Sequence, residues 1–302
     1  MSEAALHFEQ VTRRFGKKTA VDRLDLKVEP GSILGLVGRN GSGKTTSLGL
    51  AYGLLYADEG SIRVLGLDPQ RDGLELRTRV SLLAEESSLY PWMTVREILD
   101  FGAALHPNWD AKLAADVCDR LNLETNEKIR HLSRGTRAKV SLALAVSVRP
   151  QLLLLDDPTA GLDPLVRREV LQGVLEAVSD EGGAVVYASH LVHDIERVAD
   201  NVVFLDEGKK RLEASVEHLK ETMRRARAIF ENGAPDAIQL DGKIDAQVDG
   251  RVLTVVAEDP GRDLERRLRS LGASEVEVEA LSLEDILIAF LRSEVGSEVA
   301  HV

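Results

Sequence analysis

The chain has a single cysteine among its 302 residues, Cys118, so an intrachain disulfide and a cysteine-rich metal site are both excluded. Aromatic residues are scarce, at 4%, which argues against a recognition surface built on stacked rings. No apolar run is long enough for a membrane helix. The richest stretch, Val140 to Leu155, is interrupted by Arg149-Pro150 and falls short of the ~18 uncharged residues required. The first ten residues, MSEAALHFEQ, lack the basic region and apolar core of a secretory signal. Positive charge is in deficit: 38 Lys and Arg face 50 Asp and Glu, for a net charge of −12. That balance disfavours a protein living on nucleic acid, because phosphate binding demands concentrated Lys and Arg. What remains is an ordinary globular composition, 44% hydrophobic and 29% charged, expected in the cytoplasm. The length suits one large domain or two, at about 150 residues each.

Through the first two thirds, short apolar runs alternate with longer helical patterns, which predicts an α/β fold with a mostly parallel sheet. Ser32 to Val37, Leu152 to Leu155 and Ala184 to Ala188 read as buried strands, and Asn201 to Leu205 as a fourth. From about residue 88 to 148 the pattern turns helical, predicting a helical subdomain inserted between strands. Near residue 218 the character changes. Arg225 to Glu231 and Val252 to Val256 read as exposed strands, Arg262 to Leu271 as a helix, Glu275 to Glu279 as an edge strand and Leu283 to Leu291 as a last helix. The expected division is a domain over 1–217 and a small α+β appendage over 218–302, which carries half of the net negative charge.

Gly38-Arg39-Asn40-Gly41-Ser42-Gly43-Lys44-Thr45 matches G-x-x-x-x-G-K-[ST], the phosphate-binding P-loop, and it stands between a strand and a helix starting near Thr46. Polyphosphate needs several backbone N–H groups converging on its oxygens, and glycines let the chain curl tightly enough to present them. Lys44 is placed to reach the β- and γ-phosphates, Thr45 to put its hydroxyl on Mg²⁺, and the helix to turn its positive end toward the phosphates. An ordinary glycine-rich turn is the competing reading. The run Leu152-Leu-Leu-Leu-Asp156-Asp157 then supplies acids at the end of a buried strand, far along the chain from the P-loop. Asp156 is the expected metal-side acid, and Asp157 is placed to orient or deprotonate an attacking water. Together the two motifs imply a nucleoside triphosphatase.

Three further segments, Leu132-Ser-Arg-Gly-Thr136, Asp156 to Pro164 and Ser189-His190, complete a set that resembles the nucleotide-binding domain of the ATP-binding cassette (ABC) superfamily over residues 3–217. Asn108-Trp109, the stretch His190 to Asp200 and Ser282-Leu-Glu-Asp285 resemble bacterial exporter-type subunits in particular. The resemblance implies ATP and Mg²⁺ as ligands, with Thr46 joining the P-loop contacts. It implies Ser133 and Gly135 as the signature motif that completes the ATP site of an opposing subunit, and Ala160 to Asp163 as the D-loop between the two sites. It also implies His190 as the switch residue on the γ-phosphate, and Phe15 as the ring stacked on adenine. Ser133 is equally a plain helix cap, Phe15 has a core position as its rival, and His190 with His193 would need a third ligand to hold a metal. The implied partners are a second nucleotide-binding domain and a separate transmembrane permease subunit, which would place the chain on the cytoplasmic face of a membrane. Leu89 to Thr94 is the expected docking segment, unless Trp92 is simply packed down.

Five positions depart from the family pattern, in four places. Arg134 and Thr136 replace the first Gly and the Gln of L-S-G-G-Q, Glu85 stands where a metal-contacting Gln is usual, Asp157 replaces the catalytic Glu, and Phe15 replaces the commoner Tyr. Asp is one methylene shorter than Glu, and a misplacement of about 1 Å can cost on the order of 10²-fold in rate. ATP binding with slow hydrolysis is therefore the expectation. A soluble ATPase of DNA repair or the ribosome fits less well, since those relatives usually have long coiled-coil insertions or two cassettes in one chain.

Overall fold

The computed structural model describes residues 3–84, 89–179, 182–235 and 240–299. They form two compact units, Met1–Glu213 and Ala214–Val302. The first unit opens with β1 (Leu6–Phe15) and β2 (Lys18–Val28), followed by β3 (Ile33–Val37), α1 (Lys44–Ala51), β4 (Glu59–Val64), α2 (Gly73–Leu76) and β5 (Val80–Leu83). The helices α3 (Val95–Leu105), α4 (Ala111–Arg120) and α5 (Arg134–Ser147) come next, and β6 (Leu152–Asp156), α6 (Pro164–Ser179), β7 (Ala184–Ser189), α7 (Val192–Val198), β8 (Asn201–Asp206) and β9 (Lys209–Ser215) complete it.

The central sheet runs β5-β6-β7-β3-β8-β9, with parallel pairing from β5 through to β8. Every residue of β3, β6 and β7 is buried. This is why these strands read as unbroken apolar runs: strands covered on both faces have no polar side to alternate with. A second, antiparallel sheet, β2-β1-β4, was not expected from the sequence. Its strands bury Leu6, Phe8 and Val11, then Val21, Leu24 and Leu26. In each strand the parity changes part-way. The changes coincide with Gln10 (φ 49°) and Arg23 (φ 46°), which hold left-handed backbone and fall at register shifts. A bulge of this kind offsets the period of two that a sequence reading looks for.

The inserted helices have local start signals. Thr94 and Glu97 form a reciprocal capping box on α3, and Asp110 caps α4 through Leu113 N while pairing with Arg149 at 2.6 Å.

The second unit contains α8 (Val216–Thr222), β10 (Met223–Ile229), β11 (Lys243–Asp249), β12 (Val252–Glu258), α9 (Leu264–Ser270), β13 (Glu275–Ala280) and α10 (Leu283–Val299). Its sheet order is β11-β12-β10-β13, antiparallel throughout, so the link from β12 through α9 to β13 crosses over β10. Glu275 to Glu279 does lie in an edge strand. The expected exposure of the other two strands is corrected. Strands β10 and β12 are central, with Ala226, Ala228, Leu253 and Val255 packed in a core with Leu264 and Leu268 of α9. Val256, on the opposite face, is buried as well.

Gly35 sits in the middle of β3, where an added Cβ would fall 2.2 Å from Ile195 Cγ2 and 3.2 Å from Ala199 Cβ. Overpacking a filled core costs about 1–3 kcal/mol. Gly35→Ala is expected to lower the unfolding free energy of the chain by that amount, read as a fall in its urea midpoint; an unchanged midpoint would show that α7 is not seated against β3.

Candidate functional site

The loop from Gly38 to Gly43 leaves the C-terminal end of β3 and runs directly into α1, which starts at Lys44, two residues before the helix read from the sequence. Gly43 has φ 109°, and a Cβ there would lie 2.5 Å from Ala20 O, so only glycine fits. Gly38 is tight for a different reason: its backbone is ordinary, but a Cβ would meet Leu205 O at 2.3 Å. Lys44 is buried, and its Nζ donates to Gly38 O at 2.8 Å and Arg39 O at 3.3 Å, folding the side chain back across the loop. No side chain caps α1 and no acid occupies its first turn. Those first-turn amides are thus left for an anion, the usual source of stabilisation at a helix start being absent. Ser42 adds a buried hydroxyl with no hydrogen-bond partner among the described residues.

Two neighbouring strands bring the acids and the histidine. Asp156 ends β6, buried, and Asp157 follows with left-handed backbone (φ 44°). Its Oδ1 accepts from Ser189 Oγ at 2.8 Å, from His190 N at 3.2 Å and lies 2.9 Å from His190 Nδ1. His190 Nδ1 is therefore engaged with Asp157. Among the described residues no group of three or more His, Cys, Asp or Glu could hold a metal ion, so the His190–His193 pair finds no third ligand.

A cavity of about 360 Å³ opens between these loops, lined by Phe15, Asn40, Gly41, Gly43, Lys44, Thr45, Thr46, Asp157 and His190. Gly38, Arg39 and Ser42 belong to the same loop without lining it. Phe15 is 45% exposed at the tip of β1, with the Arg13 guanidinium 4.6 Å from its ring centroid, so the rival reading of a core phenylalanine is overturned. Lys18 and Ala20 of β2 also line the cavity and were not anticipated. A lysine in a hairpin carries no sequence signal. Only the pairing of Phe15 with Lys18 brings its Nζ over the P-loop, 3.7 Å from where a Cβ on Gly41 would lie.

Ser133 and Gly135 are not among the residues lining this cavity. Ser133 caps α5, its Oγ accepting from Thr136 N at 3.0 Å, and Gly135 lies where a Cβ would meet Val166 Cγ1 at 3.1 Å. Glu85 lies outside the described residues. Trp92 is 64% exposed, so it is not packed down; its ring stands 5.0 Å from that of Tyr90, which meets Phe101 edge-on at 5.7 Å.

The ABC transporter family model matches residues 21–160, from β2 through the P-loop and Asp156-Asp157. The uncharacterised ABC transporter ATP-binding protein YdbJ of Bacillus subtilis is 32% identical over 228 residues, covering 75% of this chain and 74% of YdbJ. The chain belongs to the ABC transporter ATP-binding proteins. The likeness of this ABC subunit to its relatives extends into the second unit. Nod factor export ATP-binding protein I of Burkholderia thailandensis is 30% identical over 301 residues, covering 95% of this chain and 97% of that protein. A dimeric ATP-binding cassette in a post-hydrolysis state, bound to ADP and Pi, shares the fold with a TM-score of 0.63 at 22% identity, over 70% of this chain and 98% of its own. This ABC subunit is thus an ATP-binding subunit of a transporter, from a family of ATPases.

Hydrogen bonds to charged groups contribute about 1.5–3 kcal/mol each, so Lys44→Ala is expected to weaken ATP binding roughly 10- to 150-fold. Fluorescence titration with a nucleotide analogue measures this, and unchanged affinity would overturn the placement of the phosphates in this loop.

Proposed function

We propose that two copies of the nucleotide-binding unit close on two ATP·Mg²⁺, each held by the P-loop of one copy and by Ser133 and Gly135 of the other. The observation that carries this reading is the convergence of the P-loop, Asp157 and His190 on one cavity that the signature residues of the same chain do not line. The backbone from Gly38 to Thr46 cradles the phosphates, Lys44 meets the β- and γ-phosphates, and Phe15 offers its ring to adenine. Thr45 and Asp156 supply the hard oxygen donors that suit Mg²⁺, an ion that is ordinarily held by one or two carboxylates together with substrate phosphates. Bound there, it would neutralise charge on the phosphates.

Asp157 acts on the attacking water and His190 contacts the γ-phosphate. Three donors hold Asp157 Oδ1, so the carboxylate is oriented in advance. Its Oδ2 makes no hydrogen bond among the described residues and faces the task of orienting water. Pre-orientation is a large part of catalysis in phosphoryl transfer, where positioning and electrostatics dominate.

A transmembrane subunit is the partner proposed for the exposed Tyr90, Trp92 and Phe101. No helix among the described residues is long and apolar enough to cross a membrane, so the proposed permease is a separate chain, and the family membership supports a place at the cytoplasmic face. The export named in the Nod factor relative supports an exporter-type complex. Closing and reopening of the sandwich would drive the permease. The net charge of −12 supports no role on nucleic acid.

The shorter acid at Asp157 favours slow hydrolysis. Steady-state ATP hydrolysis is expected to be measurable in the wild type, lost in Asp157→Asn and raised in Asp157→Glu by up to roughly 10²-fold. Tight ATP binding with no turnover in either the wild type or the Glu variant would instead make this a non-hydrolysing, regulatory cassette.

A further inference from the structure

The D-loop match, Ala160 to Asp163, is flanked on both sides by residues that reach the same buried carboxylate. Before it, Thr159 donates its Oγ1 proton to Asp194 Oδ2 at 2.6 Å. After it, in the first two turns of α6, Arg167 Nε lies 3.8 Å from that same oxygen. Asp194 itself is fully buried in α7, four residues beyond His190.

Proton accounting extends the chain by one member. Thr159 Oγ1 also lies 3.1 Å from the Tyr187 hydroxyl. Since the single Thr159 proton goes to Asp194, Tyr187 must be the donor to Thr159. Burial raises the ionisation of Tyr187 far above its ordinary range, so it keeps that proton. The result is a fixed relay from Tyr187 to Thr159 to Asp194.

One part of the network is open. Asp194 Oδ1 and Arg167 Nε have no hydrogen-bond partner among the described residues, and 3.8 Å exceeds hydrogen-bond distance. A buried carboxylate with one close donor is expensive to maintain, and an apolar residue of similar size would be cheaper. A shift of about 1 Å by the start of α6 would bring Arg167 into direct contact. In the structure the carboxylate has Thr159 as its hydrogen-bond donor and Arg167 as an ion-pair partner at 3.8 Å, and a direct Arg167 hydrogen bond would be its second arrangement.

We infer that Asp194 is a positioning residue for ATP hydrolysis, tying both ends of the D-loop to the segment that carries His190. Movement of His190 at one nucleotide would then reach Ala160 to Asp163, the segment that in the proposed sandwich lies between the two sites. The inference rests on the two-site sandwich proposed above. Its physical content is a coupling between sites through a packed element with two states, not proximity alone.

The test uses the full chain with Asp194→Asn, Arg167→Gln and Arg167→Lys. Asn preserves the size of the side chain and one acceptor oxygen for Thr159 but removes the charge. Arg167 is partly exposed, so its substitution leaves a folded chain to measure if Asp194→Asn does not. Nucleotide-analogue affinity, steady-state ATP hydrolysis, the Hill coefficient for ATP and the urea midpoint are measured for each. The expected result is ATP affinity within about twofold of wild type, turnover lowered roughly 3- to 30-fold, and a Hill coefficient that falls towards 1 in both Asp194→Asn and Arg167→Gln. Arg167→Lys should recover part of the turnover and of the cooperativity. Turnover that falls only in step with the urea midpoint, with cooperativity retained, would make the network a structural brace and overturn the inference. Failure of the sandwich reading has a different signature, a wild type that hydrolyses ATP with a Hill coefficient of 1 and forms no dimer with ATP in light scattering. That result would remove the inference along with it.

Discussion

Val37 lies opposite Ser189 and Asp156 opposite Ala188, and the site depends on that register. The three strands β6, β7 and β3 come from distant parts of the chain but are neighbours in the sheet. Parallel pairing brings their C-terminal ends to one level, so the loop after each delivers a different group to the same place. The P-loop follows β3, Asp157 follows β6 and His190 follows β7. Complete burial of the three strands pins the register, because each side chain has its own packing neighbours above and below the sheet. Ligand sites outside the carboxyl ends of parallel strands are the general consequence of this construction.

The same physics decides what could be read in advance. Strands buried on both faces announce themselves, and β3, β6 and β7 were all legible as apolar runs. Strands β1 and β2 were not. Their parity is offset at Gln10 and Arg23, and an alternation interrupted by a bulge looks like irregular chain. The central position of β12 was equally hidden, since Val252 to Val256 has the same composition at an edge or in the middle of a sheet. Among site residues, those with a fixed spacing were legible: Asn40, Gly41, Gly43 to Thr46, Asp157 and His190 meet at one cavity. Phe15 had two readings that only its exposure could separate. Lys18 had no signal at all, because its place above the P-loop depends on a hairpin partner.

Asp157 connects the fold to the chemistry. Its left-handed backbone turns the chain sharply at the end of β6, and its N–H reaches back to Ala188 O at 2.8 Å. A strained residue of this type persists only where the surroundings over-determine it. Here they do: the backbone N–H, Ser189, and the backbone and ring of His190 all bind it. The carboxylate is consequently part of the seam between β6 and β7 as well as part of the wall of the cavity beside the P-loop. Shortening Glu to Asp at this position therefore alters more than reach, since the hydrogen bonds that hold His190 depend on where the carboxylate ends.

The segment after Asp157 is confined by its neighbours as well. Gly161 has φ 68°, and a Cβ there would come within 2.5 Å of Arg134 Nη1. The side chain that replaces a glycine of the signature thus lies across the D-loop of its own chain, in space that Gly161 leaves open. Arg134 stands in the first turn of α5, where a positive charge is disfavoured by the helix dipole. Its guanidinium has no carboxylate partner among the described residues. The D-loop is accordingly bounded by Arg134 on one side and by Thr159 and Arg167, both directed at Asp194, at its two ends. A four-residue segment bounded in this way has little freedom to move independently of α5, α6 and α7.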